Sequence, residues 1–189
     1  MWRATKISAD AAEKMQMNAG LLLNDYDISN PIAPTDEQIV CETTGDFSIT
    51  CTPEVADFFE DVNNAPTNTK EGKQITGWTC SLGVTALSVT LETLALALGA
   101  SEAIDTTGVR PRSTYKLDDF KSLYWIGDMM DESKLLVVEM SNTVSTGGVS
   151  FTATNKGKGS LALTLTPHAS IAAPAVVPMA FYVLEKVDG

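Results

Sequence analysis

The sequence predicts a mainly β protein: an antiparallel β-sandwich or barrel flanked by one short α-helix. Three observations carry that prediction. Over residues 75–86, Trp78, Cys80, Leu82, Val84 and Ala86 take every second position, with Thr79, Ser81, Gly83 and Thr85 between them. A period of two puts the apolar groups on one face of a strand and the small polar groups on the other. From residue 90 the period changes. Leu91, Leu94, Ala95 and Leu98 follow at i, i+3, i+4 and i+7, one stripe of a short helix. Elsewhere, alternating stretches are separated by turn residues, without the strand–helix alternation of a parallel sheet.

The helix has its own punctuation. Thr90 is placed to cap its N-terminus, Glu92 sits where a negative charge meets the positive end of the helix dipole, and Gly99 follows the last stripe residue as a C-cap. Laying this helix on the sheet buries both apolar faces.

In chain order, residues 1–14 read as a polar N-terminal arm. A first strand follows through Met15, Met17 and Ala19 to Leu23, and 24–35 is a loop of Asp, Asn and Pro. Residues 37–52 read as a hairpin turning at Thr44-Gly45-Asp46, with Phe47, Ile49 and Cys51 on one side. Two long connections stand out, 53–74 and 100–119. Long loops in compact domains are usually functional or disordered. The first carries Val55, Phe58 and Phe59 among acids and asparagines. Adjacent phenylalanines argue against plain disorder; they either tuck under their own loop or dock on a neighbour.

Phe120, Tyr124 and Trp125 mark an aromatic strand over 120–126, with a turn over 127–133. Residues 134–144 form a strand whose Leu135-Leu136-Val137-Val138 run implies burial on both faces. Val149, Phe151 and Ala153 alternate, and 155–159 is a turn. Leu161, Leu163 and Leu165 alternate with Ala162, Thr164 and Thr166, and a last strand over 177–187 centres on Phe181 to Leu184. This makes about eight strands and one helix.

Composition sets limits. One domain is expected for 189 residues. The formal net charge is −11, from 24 acids against 13 bases. Such a surface argues against gripping a phosphate backbone or docking on anionic lipid. Cys41, Cys51 and Cys80, three with no tight spacing, give neither a disulfide framework nor a zinc site; Cys80 reads as a small buried hydrophobe. The N-terminal fifteen residues hold no continuous apolar run, so no secretory leader is expected, and no run reaches the ~20 residues of a membrane span.

Catalytic chemistry is not in view. His168, the one histidine, ends a strand beside Pro167 with no nucleophile motif near it. The acid groups at 60–61, 118–119 and 128–132 lack EF-hand spacing, and the Gly157-Lys158-Gly159 turn is not a P-loop. The expectation is no enzyme, no cofactor and no metal.

Taken in order, several stretches form a set: Gln16 to Leu23, Glu60 to Glu71, Trp78 opening the long strand, Trp125-Ile126-Gly127-Asp128, Asn142 to Gly148, Lys156 to Gly159, and His168-Ala169-Ser170. The set resembles the major tail tube proteins of long-tailed bacteriophages that infect Gram-positive hosts. That resemblance implies a β-sandwich or barrel with one helix. It implies a structural virion protein, assembled in the host cytoplasm. Its hexameric rings stack into a hollow tube around a tape-measure protein and conduct DNA. The other implied partners are tail terminator and baseplate or distal tail proteins; DNA transits without specific binding, and no membrane is involved. On this reading Val55, Phe58 and Phe59 are candidate assembly contacts, and Thr79, Ser81 and Thr85 are candidate lumen-facing residues. Acidic charge facing the bore would repel DNA. The competing readings are the inner tube of a contractile tail or tailocin, a virion decoration protein, and a carbohydrate-binding β-sandwich. Trp78 is expected on the core face, which argues against the last.

Overall fold

The protein is described here from a computed structural model covering residues 13–45, 47–152 and 159–187. The expected N-terminal arm falls almost wholly outside those residues, as does most of the 155–159 turn. In chain order the strands are β1 (Gln16–Leu23), β2 (Ile39–Thr43), β3 (Ser48–Asp57), β4 (Lys73–Ala86), β5 (Ser101–Ala103) and β6 (Val109–Pro111). Then come β7 (Lys121–Met129), β8 (Lys134–Ser145), β9 (Ser150–Thr152), β10 (Ser160–Pro167) and β11 (Met179–Glu185). The single α-helix among the described residues, α1, is Leu91–Leu98.

Six strands close a ring. β1 lies between β2 and β7; β7 pairs with β8; β8 meets β10 at Thr143 to Ser145; β10 lies along β4; and β4 returns to β2 at Ala86–Thr43. Every pairing is antiparallel. The other three strands of this sheet branch off the ring. β3 shares one edge of β4 with β2, β11 shares one edge of β8 with β10, and β9 shares one edge of β10 with β8. The result is a barrel with diverging flaps. β5 and β6 form a separate two-stranded ribbon.

The ring's interior is filled by Leu22, Leu82, Val84, Leu123, Trp125, Val138, Met140, Leu161, Leu163 and Leu165, all buried. Each fully buried leucine contributes about 1.5–3 kcal/mol. A second cluster of Leu23, Tyr26, Ile126, Leu135 and Val137 covers the opposite face of β1, β7 and β8. So β8 is buried on both faces, as its unbroken apolar run predicts. Trp125 organises the main core. Phe47 stacks on its ring at 4.6 Å, and its Nε1 donates to Thr43 Oγ1 at 3.2 Å. Thr43 in turn donates to the carbonyl of Gly20 at 2.9 Å.

Helix α1 keeps its predicted bounds. Thr90 Oγ1 accepts from Thr93 N at 3.1 Å, while Thr93 Oγ1 accepts from Thr90 N at 2.8 Å. This reciprocal cap satisfies two of the free amides at the helix start. Gly99 closes the helix at φ 71°, a left-handed backbone where a side chain is strained, and a Cβ there would meet Ser145 O at 2.5 Å.

Four expectations need correction. First, β2 and β3 do not form a hairpin. They follow one another along one edge of β4, because β2 is drawn to β1 and β3 to the long free part of β4. Second, the 53–74 connection is shorter than predicted. β3 runs on to Asp57 and β4 begins at Lys73, joined as a long hairpin. Third, the buried helix face is Thr93 and Ala97, with Leu94 and Leu96 packed beside them, while Leu91 is exposed. The helix is apolar nearly all round, so its small residues, which permit close approach, decide which side lies on the sheet. Fourth, Trp78 shares the core face but lies past the end of the core, and is 38% exposed. The 100–119 connection holds the β5–β6 ribbon and a 3-10 turn, clasped by an Arg112–Asp119 ion pair.

Candidate assembly interface

Three features of the surface stand apart. The first is the outer face of β3, β4 and β10. Alternation sends Ile49 and Cys51 on β3, Cys80 to Ala86 on β4 and the leucines of β10 inward. Their alternates, Ser48, Thr50 and Thr52, Thr79, Ser81, Gly83 and Thr85, and Ala162, Thr164 and Thr166, face out. Register places them side by side: Thr52 opposite Thr79, Thr50 opposite Ser81, Ser48 and Thr164 on either side of Gly83, and Ala162 opposite Thr85. Thr50 and Ser81 share a hydrogen bond at 2.7 Å, as do Thr146 and Thr166 at 2.8 Å. Thr79 donates to Glu54 at 2.8 Å, and Glu54 marks one end of the patch. Thr79 and Thr164 are exposed; Ser81 and Thr85 are half-buried. On a chain of net charge −11, these side chains make a hydroxyl-rich face whose formal charge is confined to Glu54 at its end. All three residues expected on the lumen wall, Thr79, Ser81 and Thr85, lie on it.

The second feature is the arm built by the outer halves of β3 and β4. Beyond Thr52 and Thr79 neither strand has a buried residue, and most of their side chains are exposed on both faces. Val55, Ile75 and Trp78 stand on the arm, and Phe58, Phe59 and Val62 lie at its tip. Phe58 is 63% exposed, whereas Phe59 is 39% exposed and rests over Gly72. The two alternatives for this pair therefore split: Phe59 leans on its own loop and Phe58 points away. An ion pair at 2.9 Å joins Lys73 to Asp57. Hydrogen bonding to Lys73, then to the Phe59 amide, holds the Asp57 carboxyl below the usual carboxylate range. β3 pairs with β4 alone, so its outer edge has no strand partner among the described residues.

The third feature was not anticipated. β11 pairs only with β8 and leaves its other edge open among the described residues. Its outward side chains Phe181 and Val183 are 49% and 59% exposed. An open edge with apolar side chains invites strand pairing with another chain. The available signal was that Phe181 to Leu184 is apolar at every position, so both faces of that strand call for cover. His168 has no such character. Its ring meets Phe120 edge-on at 5.3 Å, and its carbonyl accepts from Asn142 Nδ2 at 3.1 Å.

No protein-family model matches this sequence, and no curated protein matches it either. Among solved structures, the chain is similar to one from the virion of a native gene transfer agent particle, at TM-score 0.38 and 11% identity, covering 87% of this chain and 95% of that one. It is also similar to a chain from the tail of an empty gene transfer agent particle with C6 symmetry, at TM-score 0.39 and 11% identity, covering 86% and 94%. Overlaps this loose identify no function, so the surfaces themselves have to supply one.

Proposed function

We propose that this chain is a structural subunit of a phage-type tail tube. In this reading copies join side by side into hexameric rings, and the rings stack around a tape-measure protein. DNA later passes through the bore. The observation that carries the reading is the hydroxyl face of β3, β4 and β10, whose outward residues include no cation. A wall that a polyanion slides past needs water-bearing groups and no cations that would hold phosphates. Thr79, Ser81 and Thr85, with Thr50 and Thr164 beside them, are assigned to that wall. Its one carboxylate, Glu54, lies at the end of the patch, so the wall avoids retaining DNA chiefly by lacking cations.

Growth of such a tube needs surfaces that a lone subunit leaves uncovered. The arm with Val55, Phe58 and Phe59 supplies one, and the open edges of β3 and β11 supply two more. The 100–119 connection is assigned to contacts between subunits. The subunit works as a scaffold, without catalysis, in the virion tail, meeting terminator and baseplate or distal tail proteins at the tube's ends. Negative-stain electron microscopy of concentrated protein tests the assembly. Rings or tubes are expected. Compact monomers at every concentration, or a structure of the assembly with residues 79–85 on its outside, overturn the reading.

A further inference from the structure

We propose that Cys51 and Cys80 are a redox pair that closes to a cross-strand disulfide and staples the base of the β3–β4 arm. The two residues are directly opposite in the ladder, 29 positions apart in sequence, with both side chains on the core-facing side. Opposed residues of an antiparallel pair have Cα atoms about 4.5–5.5 Å apart, inside the span that a disulfide bridges. Their sulfurs are 2.7 Å apart, about 0.7 Å more than a bonded pair. Closure therefore asks for a small side-chain adjustment and no backbone movement.

The pair's place in the fold gives the bond a purpose. Coming down β4 from the arm, Cys80 is the first buried residue, and Cys51 opposite it is half-buried. Immediately beyond, Thr52 to Val55 are exposed, and the register slips between Glu54 and Val55. The ladder is irregular there, where the arm leaves the barrel. A bond at Cys51–Cys80 fixes the register on the barrel side of that slip. Burial, then Cys51 itself, pushes the Cys80 thiol up to about 12, so attack begins at the more accessible Cys51.

The chemistry balances with a small disulfide such as oxidised glutathione as the oxidant. The Cys51 sulfur attacks one glutathione sulfur and expels the other glutathione as a thiolate. Cys80 then attacks the Cys51 sulfur of the mixed disulfide and expels the second. Two glutathione thiols carry away both protons and both electrons. In a reducing cytosol the pair stays open; outside it, the bond forms.

The test uses the purified full-length chain, incubated with oxidised glutathione, acid-quenched, unfolded and alkylated. The expected product carries one alkylated thiol, at Cys41, and yields a peptide linking Cys51 to Cys80. Its melting temperature should rise by about 5–15 °C, and Cys51→Ala should abolish the rise. Three alkylated thiols under conditions that fully oxidise dithiothreitol, a stable glutathione adduct at Cys51, or links through Cys41 or between chains would each overturn the proposal.

Discussion

Trp125 lies against Gly20 so closely that a Cβ on residue 20 would sit 2.5 Å from Cζ2 of the indole and 2.7 Å from the Ile126 carbonyl. Glycine is required here for space, not for backbone conformation. Gly20→Ala should displace the indole, disturb its bond to Thr43 and cost about 1–3 kcal/mol. A urea unfolding midpoint that moves down without a change in slope confirms it; an unmoved midpoint means the ring had room.

The reciprocal cap of α1 gives a second expectation. Thr90→Ala removes the acceptor for the Thr93 amide and should lower stability by about 0.5–2 kcal/mol. Thr90→Ser, which keeps the oxygen, should stay near wild type by the same measurement.

The Arg112–Asp119 pair gives a pH dependence. Burial raises the Asp119 pKa, but hydrogen bonds from the Lys116 amide and Arg112, with the Arg112 charge, outweigh it and leave the carboxyl below its usual value. The folded state thus binds this proton less readily than the unfolded chain. Its stabilising contribution is present above the unfolded pKa and is lost as pH falls through the lower folded value. Arg112→Ala should lower the melting temperature at pH 7 and flatten its decline below about pH 4. A parallel downward shift at every pH would show that the pair does not govern the slope.

Phe58 tests the arm. Phe58→Ser removes an exposed ring and should leave the monomer's melting temperature within about 2 °C of wild type while tubes fail to form. Adding Phe59→Ser should deepen the loss of assembly and also loosen the loop over Gly72. Normal tubes from the double variant rule the arm out as a contact.

The hydroxyl face tests the bore. Thr79→Lys with Thr164→Lys places two cations per subunit on exposed positions of that wall. DNA ejection from particles carrying this variant should slow, with the slowing relieved by added salt as phosphate contacts are screened. Ejection at the wild-type rate would move the face away from the DNA path.

Much of this architecture was legible in the residues. The period-two run into Ala86, the double burial of Leu135 to Val138 and the Thr90 and Gly99 caps are local signals, and each appears where the spacing puts it. The errors in the sheet share an origin. Which strand lies beside which is settled by contacts distant in sequence, and alternation says nothing about them. Hence β2 and β3 look like a hairpin, although they share an edge of β4. Trp78 shows the same limit: its face was predictable, but not that the core stops before it. Thr79, Ser81 and Thr85 were visible as a polar flank. Their extension to Thr50 and Thr164 required the register.

β4 is rooted in the barrel at Ala86 and ends in the arm at Lys73, so one strand of 14 residues joins the two. Its rungs to β10 run crosswise to the strand. Tension on the arm's tip therefore loads those rungs in shear, all together, instead of peeling them singly. A filament gripped through such arms would hold firm under axial pull and then give way abruptly.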